Sequence, residues 1–276
     1  MKIIIPGNLE GKELNKFLIE NKSLLITQKK SVIKEADPFH FSRPFVSETG
    51  EAFKAAPSAP DDAGVITINP VINTTFYYDG HGDVHIDGIW KENLKHNKKI
   101  YLVQEHKSNQ FDKIITNDLK AITKKMSWRD LGEDYDGITE ALIFSKCKIT
   151  AKRNPYMYDQ YKLGYVENHS VGMIYVNLSL AINDEDYKDE FAEWNKYIEK
   201  IVNRDEVEKA GYFWPVKEAK IVEGSAVPFG SNPVTPTLND NMEVVTESTK
   251  DQPGQTTETK PHFDVMKAIQ ETKFFN

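Results

Sequence analysis

The stretch Glu167-Asn168-His169-Ser170-Val171-Gly172-Met173 runs directly into the apolar segment Ile174–Ile182. Together they read as one long extended segment, in which successive side chains point to opposite faces. Ser170 and His169 therefore face opposite ways and are a poor nucleophile–base pair, although they are neighbours. If Ser170 is a nucleophile, its base comes from elsewhere in the chain. Gly172 has no Cβ, so another backbone or a ligand can approach closely there. Taken alone, a serine in such a segment is most simply an ordinary strand residue.

Downstream, Asn183 or Asp184 caps the clearest helix, whose stripe Tyr187, Phe191, Trp194, Ile198, Ile201 and Val202 runs to about Asn203. Arg204–Ala210 adds a short turn stopped by Gly211, and Lys217–Phe229 reads as the last strand. Upstream, Pro155–Lys162 reads as a short helix and Ala141–Thr150 as a strand that buries Cys147. Residues 117–136 have helical spacing around Leu119, Ile122 and Met126. Ile100–Val103 is a compact strand with Gln104-Glu105-His106 at its end, where a rigid element gives way to a loop. Ile89–His96 reads as a helix entered from a tight loop at Tyr78–Asp87, and Gly64–Tyr78 as a strand pair. At the start, Lys2–Ile5 and Leu24–Thr27 are expected strands and Leu9–Asn21 a helix. From about 29 to 62 the pattern dissolves into charges and prolines, including Ala56-Pro57-Ser58-Ala59-Pro60, as a mobile surface loop does.

With 276 residues and 39% apolar content, the chain can bury one substantial core. Its formal charge of -7, with both signs spread along the sequence, argues against nucleic acid or a membrane surface as partner. Cys147 is the single cysteine, so no internal disulfide forms and a reducing cytoplasm is the natural compartment. Ile3-Ile4-Ile5 stops at Pro6-Gly7, too short for the apolar region of a signal peptide. From Asn232 to Pro261 large apolar residues almost vanish, which predicts a disordered linker before a short terminal helix at Phe263–Phe275. The domain expected is 1–234, with 235–276 as its tail.

A serine in an extended Ser-Val-Gly, a histidine at a strand end and Glu223 in a late strand are chemically sufficient for acyl transfer. A weak alcohol nucleophile needs a base, and the base needs a group to hold its tautomer. The bland readings are a structural His106 and a Glu223 that is a strand-edge charge or the partner of a lysine. Glu105 and Asp112, close to His106 in sequence, compete with Glu223 for the orienting role. Asp79, His81, Asp83 and His85 recur every second residue, which on a strand would line one face with metal ligands, although Gly80 and Gly82 favour a loop.

Asp79-Gly80-His81-Gly82-Asp83-Val84 with Asp87-Gly88-Ile89-Trp90 resembles the Gly-Asp-Val…Pro-Gly-Ala-Phe block of tailed-phage prohead proteases. Val103-Gln104-Glu105-His106 is similar to their strand ending in the catalytic histidine, and His169-Ser170-Val171-Gly172-Met173 to their nucleophile strand. Val222-Glu223-Gly224-Ser225-Ala226-Val227-Pro228-Phe229-Gly230-Ser231-Asn232-Pro233 resembles their closing Glu-Val-Ser-Leu-Val-x-Phe-Pro-Ala-Asn-Pro block, so the likeness spans about residues 64–234. The departures are Met173 for an aromatic residue, His169 for an apolar one, and Asp87 and Trp90 for the proline and phenylalanine of the first block.

The resemblance implies an α+β, herpesvirus-protease-like β-barrel flanked by helices. It implies a serine endopeptidase of procapsid maturation without a cofactor or metal, with Ser170 as nucleophile, His106 as base and Glu223 as third member. Its substrates would be phage scaffold and the delta region of the major capsid protein, and the chain itself, inside the assembling procapsid in the host cytoplasm. Self-association is also expected. A catalytically inactive scaffold or capsid-assembly protein of the same fold is the alternative, and a metal-dependent hydrolase built on His81 and His85 is a third reading.

Overall fold

The computed structural model describes residues 3–34, 64–96 and 99–238. The chain divides after Met242, so every described residue belongs to its first part. Most of the expected loop at 29–62, the linker beyond Leu238 and the expected helix Phe263–Phe275 lie outside the described residues.

Helices α1 (Gly11–Glu20) and α2 (Lys22–Lys30) open the fold. Then come strands β1 (Val65–Thr74) and β2 (Asp83–His85), the one-turn helix α3 (Lys91–Leu94), and strands β3 (Leu102–Gln104) and β4 (Ile114–Thr116). Strands β5 (Lys120–Ser127), β6 (Ile138–Ser145) and β7 (Cys147–Thr150) precede helix α4 (Pro155–Lys162). The last part holds β8 (Asn168–Leu178), β9 (Ala181–Ile182), α5 (Lys188–Tyr197), α6 (Arg204–Ala210), β10 (Tyr212–Val227) and β11 (Thr237–Leu238).

Local chemistry sets several of these boundaries. Asn154 caps α4 by accepting from the Met157 N–H at 3.0 Å, and Pro155 follows at the first helical position, where its missing N–H costs nothing. Gly211 ends α6 with φ 72°, a conformation that suits a residue without a Cβ.

Other expectations need correction. Ile3–Ile5 is not a strand, because the Gln28 side chain captures Ile3, accepting from its N–H at 2.7 Å and donating to its carbonyl at 3.0 Å. Leu24–Thr27 lies inside α2, with Leu25 turned into the core. Gly64–Tyr78 is one long strand rather than a pair, and Ala141–Thr150 is two strands, broken at Lys146 with φ 51°. The loop before α3 contains β2, and the helix expected at Ile89–His96 shrinks to α3. Within 117–136 the spacing is that of a strand: β5 pairs with β6 from Lys120↔Ser145 to Ser127↔Ile138. It is an edge strand, and its lysines serve there as solvated edge charges.

The strands form two sheets among the described residues, not a closed barrel. The first runs β11-β1-β6-β5 with β7 also on β1, and the second runs β2-β10-β3-β4 with β8 and β9 also on β10. Closure fails because β5 ends the first path and β4 the second. The sheets share one core, in which Ile72, Leu142 and Phe144 of the first meet Val171, Met173 and Ile221 of the second. Gly224 makes the closest approach possible, since a Cβ there would lie 2.4 Å from Phe144 Cε2 and 3.2 Å from Ile72 Cδ1. Helices α2, α3 and α5 pack on the second sheet and α4 on β7, giving an α+β fold. No helix among the described residues is long and apolar enough to cross a membrane.

Candidate active site

Strand β10 holds the site's frame. On one edge it pairs antiparallel with β8, matching Glu223 to Gly172 and Ser225 to Ser170. On the other it pairs parallel with β3, matching Ser225 to Val103 and Ala226 to Gln104. Directly opposed residues share a face, so Glu223 and Ser225 stand on the same side as Ser170 and the bare backbone of Gly172. Val171 and Met173 turn the other way, into the core.

His106 reaches this face by an uncommon turn. As β3 ends, the Lys107 N–H donates to the Gln104 carbonyl at 3.0 Å, closing a turn whose central residues Glu105 and His106 have φ 51° and 58°. Positive φ at both central positions usually calls for asparagine or glycine. Here two ordinary side chains occupy the left-handed region, at a cost of about 1–2 kcal/mol each. The strain folds the chain back over β10, where the His106 N–H donates to Ser225 Oγ at 2.7 Å.

The imidazole then meets Glu223. His106 Nδ1 and Glu223 Oε1 are 2.6 Å apart, with both side chains almost fully buried. A carboxylate only accepts, so Nδ1 carries the proton and Nε2 is the basic nitrogen of the neutral ring. Glu223 Oε2 is buried with no hydrogen-bond partner, so His106 is the one polar contact of this carboxyl group among the described residues. Gly172 leaves the space the carboxyl group occupies: a Cβ at 172 would lie 2.2 Å from Oε1.

Ser170 sits opposite Ser225, whose hydroxyl anchors His106, at the roughly 5 Å Cβ separation of such pairs. Ser170 is 7% exposed, and its hydroxyl makes no hydrogen bond among the described residues. Nucleophile–base hydrogen bonds commonly lengthen or open in proteins without substrate.

The other sequence candidates lie elsewhere. Glu105 bonds Lys107 at 2.5 Å and Gln104 at 3.2 Å, and Asp112 is a surface partner of Lys113, so neither contacts the imidazole. His169 faces the core, as the alternation of an extended strand requires. Its Nδ1 donates to the Thr235 carbonyl at 2.9 Å, its Nε2 accepts from the Tyr161 hydroxyl at 2.9 Å, and burial pushes its pKa down to about 4. A neutral, fully bonded imidazole of this kind is a structural group.

Asp79, Asp83 and His85 form a separate buried network. Asp83 is paired with Lys29 and Lys34 and accepts from the Tyr175 hydroxyl at 2.7 Å. Burial works to raise its pKa, but the two lysines outweigh that and hold the carboxyl group below its ordinary range. Asp79 receives the N–H groups of His81 and Asp83, yet burial and the Asp83 charge push it up to about 6. His85 Nδ1 is 2.7 Å from Asn73 Nδ2. With Asp83 already neutralised by lysines, the alternation read as a ligand row is a structural clamp on α2. Among the described residues no three His, Cys, Asp or Glu side chains stand so as to hold a metal.

Ser225 was not legible as a site residue, because its role is to fix a backbone N–H and a serine in a strand carries no signature. The resemblance block Glu223-Gly224-Ser225 contained it, and that was the available signal. Comparison with family models, curated proteins and solved structures gives no match for this chain.

Proposed function

We propose that this chain is a serine endopeptidase working through an acyl-enzyme, with Ser170 as nucleophile, His106 as general base and Glu223 as the group that orients the base. The observation that carries the reading is the buried Glu223 carboxyl group, whose single polar contact among the described residues is His106 Nδ1 at 2.6 Å. A carboxylate serving stability alone would be expected to satisfy both oxygens, since an unpaired buried acceptor costs about 1–3 kcal/mol. A carboxylate that orients a base needs one good contact and a fixed position, and Gly172 supplies the room for it.

In this mechanism Ser170 Oγ attacks the scissile carbonyl carbon while its proton passes to His106 Nε2. The imidazolium, stabilised by Glu223, gives that proton to the leaving amine as the peptide C–N bond breaks. Water then attacks the acyl-serine, assisted by the same imidazole, and releases the carboxylic acid. The motif resemblance extends the proposal to procapsid maturation, with scaffold, the capsid delta region and the chain itself as substrates, inside the assembling shell, and with a herpesvirus-protease-like fold.

Intact masses of wild type and Ser170→Ala after incubation, alone and with candidate scaffold protein, test the proposal. Shortening only in samples with wild type is the expected result. Equal shortening with Ser170→Ala would overturn the assignment of the nucleophile, and none with either would favour an assembly protein without activity.

A further inference from the structure

A cavity of about 150 Å³ opens beside the turn that carries His106, at the end of the sheet that carries Ser170. The ends of β3 and β10 line it, together with α4 and the chain that precedes β8. The turn after β3 gives Gln104 and Glu105, the end of β10 gives Val227 and Pro228, and α4 with the chain leading into β8 gives Met157 and Tyr165. Val227 stands opposite Asn168, two residues along β8 from Ser170, which is about 7 Å in a strand. That is also the spacing between same-side side chains of an extended peptide. A polypeptide with its scissile carbonyl at Ser170 would therefore bring a neighbouring side chain to the cavity.

The chemistry of the walls restricts that side chain. Met157, Tyr165, Val227 and Pro228 are apolar surface, and the amides of Gln104 and Gln160 are neutral. Glu105 is the one acid among the described lining residues, and its carboxyl group is already paired. Its Oε2 accepts from Lys107 at 2.5 Å and its Oε1 from Gln104 at 3.2 Å, and the Lys107 bond holds the carboxyl group below its usual range. At the rim Tyr156 and Tyr165 are 60% and 63% exposed, leaving aromatic surface in water that a bound side chain would cover. A space of this size accepts a group about as large as a benzene ring.

We infer that this cavity is the specificity subsite of the peptidase and selects polypeptides with a neutral apolar side chain, leucine, methionine or phenylalanine, within two residues of the scissile bond. The inference rests on the protease reading above. Its test has two arms, so that the two can fail separately.

In the first arm the full chain digests a denatured protein and the cut sites are read by mass spectrometry. Leucine, methionine and phenylalanine should be enriched at least about fivefold over charged residues at one position. Gln160→Trp, which fills the cavity, or Tyr165→Ala, which removes an exposed wall and spares the core, should erode that preference by a similar factor. In the second arm, Ser170→Ala is titrated with acetylated Ala-Ala-Xaa-Ala-Ala amides, Xaa being leucine, phenylalanine or lysine, and binding is read by NMR. The leucine and phenylalanine peptides should bind and the lysine peptide should not, and adding Gln160→Trp should remove the difference. Cleavage without apolar preference, or with one that neither variant moves, overturns the subsite and leaves the protease reading standing. Selective binding without any cleavage keeps the cavity as an apolar peptide site and overturns the protease reading. Neither cleavage nor selective binding overturns both.

Discussion

A methyl group at position 172 would lie 2.2 Å from Glu223 Oε1 and 2.9 Å from its Cδ, so Gly172→Ala must push the carboxyl group off His106. The variant should therefore mimic Glu223→Gln, with kcat/KM down roughly 10- to 100-fold, less than the loss in Ser170→Ala. The double variant Gly172→Ala/Glu223→Gln should be little worse than either single one, because both act on one contact. Additive losses would mean that Gly172 serves something other than the carboxylate. A second residue-scale effect belongs to His169, whose pKa is pushed down to about 4 by burial. An ordinary unfolded histidine titrates near 6.5. Between those values the unfolded chain binds the proton and the folded one does not, so stability falls as the pH drops through this window. The contribution amounts to about 2 kcal/mol between pH 7 and 4.5. Asp79, raised to about 6, acts in the opposite sense over nearly the same range. It is common to both proteins in the comparison that isolates His169. His169→Asn should be less stable than wild type at pH 7 but lose about 2 kcal/mol less on acidification in urea melts. Equal acid sensitivity of the two proteins would contradict a neutral buried imidazole.

At the scale of elements, the turn after β3 is where sequence and conformation disagree most. Glu105 and His106 both have positive φ, and nothing in Gln-Glu-His-Lys announces a turn that normally takes asparagine or glycine. Since local propensity opposes the turn, tertiary contacts must hold it, through Ser225 Oγ on the His106 N–H and the Ala226 carbonyl on the Glu105 N–H. Glu105→Asn should then stabilise the fold by up to about 1 kcal/mol, seen as a higher urea midpoint, while cleavage persists. A loss of stability would show that the Glu105 contacts to Lys107 and Gln104 outweigh the backbone strain. The same locality decides what the sequence revealed. Helices with their own caps, such as Asn154-Pro155 before α4 and Gly211 after α6, were legible because the signal lies within a few residues. The serine, histidine and glutamate could be nominated from motif blocks, but the Glu223–Gly172 and His106–Ser225 contacts join residues 51 and 119 positions apart. β5 does not show in the sequence because an edge strand with three lysines has no clean alternation, and α2 does not show at Leu24–Thr27 because a short apolar run fits helix and strand alike.

For the whole molecule, the end of the domain lies further along the chain than composition suggests. Composition makes the polar stretch from Asn232 a linker, yet its first residues are structural. Val234 and Thr235 are buried, and Thr235 Oγ1 donates to the His169 carbonyl at 2.7 Å and accepts from its N–H at 3.1 Å. Thr237 and Leu238 then add β11 to the edge of β1. The segment thus ties the strand that carries Ser170 to the first sheet, and composition misses this because the work is done by hydrogen bonds from small polar side chains. A chain ended after Val234 should lose the hydrogen bonds at His169 and the β11 pairs, roughly 2–4 kcal/mol, lowering Tm by about 5–15 °C. A chain ended after Met242, where the first part of the molecule stops, should keep the Tm and the peptide hydrolysis of the full protein. If residues 243–276 tether the enzyme to scaffold or shell, that same truncation should lower incorporation into procapsids while hydrolysis of a soluble peptide is unchanged, since linkage acts through local concentration. Loss of peptide hydrolysis on cutting after Met242 would make the tail part of the catalytic domain. Unchanged incorporation would remove the tether.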